Sequence, residues 1–396
     1  MQSQPNIPSH VLPVIVFAQF AGTSLWFAGN AIAADLQAAL HLDLGSLGNI
    51  TSAVQLGFIS GTLVFAVLSI ADRFSPSKVF LAAALAGAFF NLCVAWFAGG
   101  LASLLAFRFL TGFFLAGIYP VGMKISADWF AQGLGKALGY LVGALVLGTA
   151  FPHLLKATAA ELPWKTILFA TSGLAAVGGL LLFFTVGDGM HRRTAPKFEW
   201  NAIPQIFRFG EFRSAAFGYF GHMWELYAMW AFTPLMLSTY NEMHGAGISV
   251  PLWSFFIIAA GGLGCVTGGY VSLKKGSPKV AFWMLLTSCV CCLLSPLFFF
   301  LPKEIFLAAA LVWGFAVVGD SPQFSTVVAR TAPKMYVGTA FTIVNCLGFA
   351  LTIFSIQLLN QLREGLPVQW LFLFLAPGAA VGLVNIGRLV RQTSER

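Results

Sequence analysis

Stretches of about 20 apolar residues alternate with short polar or Pro/Gly-rich breaks along the chain. That is the length a helix needs to cross ~30 Å of hydrocarbon. A membrane barrel would instead show ~10-residue segments of alternating hydrophobicity, and this chain has none of that pattern. The runs predict transmembrane helices near residues 11–33, 46–70, 79–99, 101–124, 135–155, 166–186, 214–240, 250–272, 280–300, 304–329, 337–361 and 368–388. The longest polar segment, 187–213, falls between the sixth and seventh of these twelve. It predicts a linker joining an N-terminal six-helix half, 1–186, to a C-terminal half, 214–396. The expected fold class is an all-α membrane protein.

Internal similarity supports the division. Gly117-Ile118-Tyr119-Pro120 returns as Gly319-Asp320-Ser321-Pro322, 202 positions on, in both cases inside an apolar run. Ser77-Lys78-Val79 answers to Pro278-Lys279-Val280, and Gly135-Lys136-Ala137 to Gly338-Thr339-Ala340, at nearly the same offset. Matches in one order at a constant spacing of half the chain point to gene duplication. Where the copies agree best they also differ, since the second carries Asp320 where the first carries Ile118.

Composition fits this picture and narrows it. Hydrophobic residues make up 58% and charged residues 9% of the chain, against roughly 25% charged in a soluble domain. The net charge of +8 is spread over short loops, which speaks for membrane orientation rather than nucleic-acid binding. With the N-terminus inside, the cytoplasmic side receives 17 basic residues and the outside receives Lys156, Lys165, Lys303 and Arg363. The positive-inside rule therefore predicts that both termini lie in the cytoplasm. No cleavable signal peptide is expected, because residues 1–10 lack Lys and Arg and the first apolar run is long enough to span. The six cysteines fall within apolar runs without zinc-site spacing and read as packing or lipid-facing residues.

The loop after the second run reads Asp72-Arg73-Phe74-Ser75-Pro76-Ser77-Lys78. With the paired halves and basic central linker, it resembles the major facilitator superfamily, whose pattern there is Gly-x-x-x-Asp-Arg-x-Gly-Arg-Arg. The Asp-Arg and a closing base are kept; Leu68, Ser75 and Pro76 depart from it. The resemblance covers nearly the whole chain. It implies a major-facilitator fold, a central cavity lined by spans one, four, seven and ten, and a cytoplasmic gating loop in which Asp72, Arg73 and Lys78 would hold one face shut. Arg108-Phe109-Leu110-Thr111-Gly112 is similar to the family's Arg-x-x-Gln-Gly motif, often associated with proton coupling. The Gly-Pro signature of family antiporters is incomplete at Gly148-Thr149-Ala150-Phe151-Pro152. Asp320 to Gln323 and Gly338 to Asn345 look loosely like nitrate/nitrite-porter relatives, but the second and eighth spans lack the Arg that would clamp nitrate.

Ionisable groups at bilayer depth are functional candidates because burying them is costly. Here they are Arg108 on span four, His222 and Glu225 on span seven, and Asp320 on span ten. His222 and Glu225 are three apart, so their side chains can meet. Asp320 and Gln323 are likewise three apart. Span one carries Gln19, Thr23, Trp26 and Asn30 on one helical face. Tyr119 follows Arg108 by eleven residues on about the same face, and Asn345 completes the set. The substrate or coupling cavity is expected to comprise Gln19, Trp26, Asn30, Arg108, Tyr119, His222, Glu225, Asp320, Gln323 and Asn345. A structural reading of Arg108, bonded to backbone carbonyls, stays open beside this one. Glycines 135, 139, 143 and 148 predict close approach of the fifth span to its neighbours.

No Gly-x-Ser-x-Gly or His-Glu-x-x-His is present, and an enzyme is not expected; nor is a metal or cofactor. The expectation is a monomeric secondary transporter in the bacterial inner membrane. It would move a small polar or amphipathic organic solute by alternating access, with protons as the coupling ion. An uncoupled facilitator, an organic-anion uptake porter, and a transporter-like sensor or assembly partner are the alternatives.

Overall fold

In a computed structural model the regular elements among the described residues are all helices, and the structure describes residues 7–43, 45–130, 134–158, 162–192 and 198–394. Side chains are described for these except at 134–136 and 393–394. Arg193, Lys197 and Arg396, and the surroundings of Gly135 and Lys136, lie outside that description.

The first part of the chain forms α1 (Val11–Thr23), α2 (Ala28–Ala31), α3 (Ala33–Leu40), α4 (Ser46–Val67), α5 (Ile70–Arg73), α6 (Pro76–Phe97), α7 (Leu101–Leu115), α8 (Tyr119–Trp129), α9 (Leu134–Thr158) and α10 (Lys165–Thr185). After a short 3-10 turn, Trp200–Ala202, follow α11 (Ile203–Ile206), α12 (Gly210–His244), α13 (Val250–Lys275), α14 (Ser277–Phe298), α15 (Lys303–Gly319), α16 (Ser321–Thr331), α17 (Val337–Leu362), α18 (Val368–Leu371) and α19 (Ala376–Ser394). Among the described residues ten helical stretches are long and apolar enough to cross a bilayer. The 13-residue α1 is apolar but short. The 35-residue α12 is long, and carries His222 and Glu225 in its middle.

Local sequence explains where helices start and stop. At α6, Ser75 accepts a hydrogen bond from the Lys78 N–H and Pro76 occupies the first turn, a favoured start because proline's missing N–H is not needed there. Both copies of Gly-x-x-Pro sit at a break: α7 passes to α8 through Ala116–Ile118, and α15 passes to α16 at Asp320. Proline cannot donate to the carbonyl four residues back. In the second copy that carbonyl belongs to Val318, and it accepts the Cys265 thiol at 3.2 Å.

Helices of the first part pack on one another, α1 on α9 and α10, α4 on α7, and α6 on α7 and α10. The later helices do the same, α12 on α17 and α19, α13 on α15, and α14 on α15 and α19. Extensive contacts join the two sets where α9 meets α13 and α4 meets α17. Gly112 and Gly314 stand 202 positions apart and play the same part. A Cβ at Gly112 would run into the Val54 carbonyl on α4, and one at Gly314 into the Ile257 carbonyl on α13. Of the fifth-span glycines, Gly148 packs on the Phe20 carbonyl of α1 and Gly143 faces Gly262 of α13, while Gly139 has open space beside it.

Candidate functional site

A cavity lies where α8, α9, α12, α15, α16 and α17 meet. Tyr219, Met223, Leu226, Tyr227 and Trp230 supply one wall from a single face of α12, at helical spacing. Tyr119 stands on α8, Val142 and Leu145 on α9, Val318, Ser321 and Ser325 at the α15/α16 break, and Asn345 and Phe349 on α17. The Tyr219 hydroxyl donates to Asn345 Oδ1 at 2.9 Å. The Trp230 indole N–H is buried and has no hydrogen-bond partner among the described residues. No Asp, Glu, Lys, Arg or His among the described residues lines this space. Its volume is about 30 Å³, room for water but not for an organic solute, so the side chains rather than the present volume define what it can take.

An aromatic cluster closes one side. Trp26 stacks on Tyr227 and Phe349 with ring centroids 5.6 and 5.7 Å apart, and Phe58 lies 4.6 Å from Phe349. Phe27 meets Trp230 edge-on at 6.1 Å. Trp26 and Phe27 belong to the non-helical stretch between α1 and α2. Arg108 holds that stretch: its Nη2 donates to the carbonyls of Leu25 (3.1 Å) and Trp26 (2.5 Å), and its Nη1 to Asn91 Oδ1 (3.0 Å). Asn91 donates in turn to Ser172 Oγ at 2.9 Å. A buried guanidinium is tolerated when fixed carbonyl dipoles face its N–H groups, and the interruption of the first span exposes two such carbonyls. Arg108 is thus bonded to the backbone beside Trp26 and does not line the cavity.

The ionisable groups of the later helices lie behind the α12 wall. His222 and Asp320 are fully buried, with Nδ1 and Oδ1 2.8 Å apart. The imidazole stacks on Phe324 at 5.6 Å. Asp320 is one residue from cavity-lining Ser321, at the break itself. Asp320 Oδ2 and His222 Nε2 have no hydrogen-bond partner among the described residues. Glu225 points elsewhere, accepting from the Cys292 thiol at 3.3 Å, so the imidazole meets Asp320 rather than the carboxylate three residues away.

The sequence-predicted residues thus divide. Tyr119 and Asn345 line the cavity, and Trp26 reaches it through the aromatic cluster. Asn30 donates to Thr51 Oγ1 at 2.7 Å between α2 and α4. Gln19 is buried against Gly122 of α8, and Gln323 on α16 is buried near Gly268 of α13. The first span unwinds after Thr23, which removes its polar stripe from a single face. Tyr219, Tyr227, Trp230, Phe349, Ser321 and Ser325 line the cavity without having been singled out by sequence. The aromatic stripe on α12 has the same helical spacing as the polar stripe on span one, and that spacing was the available signal; charge alone does not reveal it.

α5 and the turn that follows it sit in a separate charge cluster. Asp72 Oδ1 is 2.9 Å from Lys124 Nζ, and Lys124 is 4.0 Å from Asp128. Asp188, which no sequence pattern marks, accepts from the Ser77 N–H (3.0 Å) and the Ser75 hydroxyl (2.8 Å). Arg192 donates to Asp188 Oδ2 (3.2 Å) and to the carbonyls of Asp72 (3.2 Å) and Phe74 (2.7 Å). Partial burial pushes the Asp188 carboxyl up, but the Ser77 and Ser75 donors and Arg192 outweigh it and hold it below the usual range. Arg73 and Lys78 are exposed and form no ion pair among the described residues.

Fold and site together define a polytopic helical membrane protein built around an uncharged internal cavity. The chain matches the sequence profile of the Major Facilitator Superfamily over residues 14–356. It belongs to that family, and is an integral membrane transporter rather than an enzyme. No curated protein matches it in sequence. Among solved structures it is similar to a bacterial homologue of the human lysosomal transporter Spinster, in an inward-facing and unoccupied conformation. The TM-score is 0.69 at 14% identity, over 98% of this chain and 95% of that one. It is also similar to a point mutant of the nucleoside transporter NupG, with a TM-score of 0.73 at 14% identity over 96% and 99% of the two chains.

Proposed function

We propose that the protein carries a small, uncharged, polar or amphipathic organic solute by alternating access. The carrying observation is the cavity lining, where three tyrosines, Trp230, two serines and Asn345 offer ring faces and hydrogen-bond donors without a formal charge. Anions and cations would have no counter-charge there. Desolvating an ion without one costs several kcal/mol, whereas aromatic faces and hydroxyls suit a neutral solute. In this reading the chain crosses the bilayer twelve times, with α1 to α3 as the first crossing and α12 as the seventh. Residues 1–186 and 214–396 form two six-helix halves that rock about the cavity. Both termini lie in the cytoplasm and the membrane is the bacterial inner membrane.

Proton coupling is assigned to the His222–Asp320 pair. A net charge on this buried pair is costly, so a change in its charge favours a state in which the site is opened to water. Asp320 sits at a helix break beside Ser321, so a change in its charge acts where the backbone can bend. Uncoupled facilitation is the second reading, favoured by the absence of an ionisable acid, base or His from the cavity wall among the described residues.

Proteoliposomes under an imposed pH gradient, screened with neutral, anionic and cationic solutes, test both. Concentrative uptake of a neutral solute is expected, and Asp320→Asn should abolish accumulation while equilibrative exchange persists. Preference for a charged solute would overturn the proposed substrate class. Accumulation unaffected in Asp320→Asn would overturn the coupling role.

A further inference from the structure

A second cavity, of about 460 Å³ and different chemistry, opens between the start of α12 and the end of α19. Arg213 and Arg388 both line it, with Ser214, Asn385 and Gln392 beside them and Phe217 on its rim. Both arginines are exposed, and neither lies within ion-pair distance of a carboxylate among the described residues. Two like charges converging on one groove repel each other unless an anion joins them. Along the same helix surfaces, away from the arginines, the exposed residues turn apolar: Phe217 on α12, and Val381 and Val384 on α19, the two valines 53% and 60% exposed. The groove therefore offers a basic, hydrogen-bonding end and continues as a hydrocarbon-compatible face.

That amphipathic order matches one occupant, and we infer that the groove is a binding site for an anionic glycerophospholipid. The phosphate is held between Arg213 and Arg388, with the Ser214 hydroxyl and the Asn385 and Gln392 amides on the polar headgroup. Guanidinium groups suit this task because their planar N–H pairs fit phosphate oxygens. Basic pockets between spanning helices recognise lipid headgroups on the same grounds. The acyl chains lie along Phe217, Val381 and Val384. A free phosphate ion would use the basic end alone and gain nothing from the apolar face. The site is independent of the solute carried, and its occupant joins the first and last helices of the later spanning set, α12 and α19, which pack on each other.

Native mass spectrometry of protein released from nanodiscs of mixed phosphatidylglycerol and phosphatidylcholine tests the assignment. Wild type is expected to retain at least one phosphatidylglycerol in preference to phosphatidylcholine. The double variant Arg213→Gln/Arg388→Gln should lose that preference by about tenfold or more, while Arg391→Gln, outside the groove, keeps it. Variants are compared only where they elute as a single folded species, and each single Arg→Gln change gives an intermediate loss if the double variant does not fold. Unchanged retention in the folded double or single variants would overturn the proposal. Displacement of the lipid by millimolar inorganic phosphate would overturn the lipid assignment, leaving a simple anion site.

Discussion

Arg108 is the only lysine or arginine buried among the described residues, and its three oxygen partners explain how it stays there. Removing it would leave the Leu25 and Trp26 carbonyls and Asn91 without their donor and release Trp26 from the aromatic cluster. Arg108→Ala is expected to cost about 3 kcal/mol or more of stability, since hydrogen bonds to charged groups contribute about 1.5–3 kcal/mol each. Arg108→Lys should recover only part of it, because an ammonium cannot span the same fork. Thermal unfolding in detergent measures both, and an unchanged midpoint for the alanine variant would contradict the role. Asp188 gives a second residue-scale expectation. Its carboxyl is held below the usual range in the folded protein, so its contribution is present above the ordinary carboxylate pKa of about 4 and disappears as pH falls through the folded value. Unfolding midpoints followed from about pH 7 to about pH 3 should decline at the acid end in wild type. They should decline less in Asp188→Asn, which starts lower at neutral pH.

At the scale of elements, the breaks decide what the helices can do. The chain is interrupted between α1 and α2 at Ser24–Phe27, between α7 and α8 at Ala116–Ile118, and between α15 and α16 at Asp320, and each break places a cavity or cluster residue. The hydrogen bonds that join α17 to α4 and the residue before it lie near one end of both helices. Gln357 Nε2 donates to Asn49 Oδ1 (3.1 Å) and Ser52 Oγ (2.9 Å), and Asn360 Nδ2 donates to the Gly45 carbonyl (2.9 Å). Under the proposed rocking motion these bonds must part on each cycle. Asn49→Cys with Gln357→Cys, joined by a short bifunctional thiol reagent, is therefore expected to stop transport, with recovery when a cleavable reagent is reduced. Full flux through fully cross-linked protein would show that this face does not separate. The engineered pair should react selectively, since the six native cysteines are buried.

For the whole molecule, the relation between the two sets of helices is the functional quantity. Gly112 with Val54 and Gly314 with Ile257 repeat one packing device in both. The chemistry is not repeated. The earlier set contributes Arg108, spent on its own backbone, whereas the later set contributes the His222–Asp320 pair and most of the cavity wall. A transporter arranged this way is proposed to bind solute across the interface while storing charge on one side of it, which is what the pH-gradient experiment with Asp320→Asn examines.

The sequence by itself determined the helical membrane character and the family, because a ~20-residue apolar run has few solutions in a bilayer and the Asp72-Arg73 loop carries part of the family pattern. It also named Tyr119 and Asn345, which stand on the cavity wall. What it could not determine was the direction of each polar side chain once helices unwind and pack. Helical spacing put Gln19, Trp26 and Asn30 on one face only for an unbroken helix, and put His222 beside Glu225 only in the absence of a better partner. Tertiary structure decided both, breaking the first span around Arg108 and bringing Asp320 from a distant helix to the imidazole. Charge marked the costly residues correctly, but in a low-dielectric interior such groups are sheltered behind the wall, and the wall itself is built from uncharged aromatic and hydroxyl side chains.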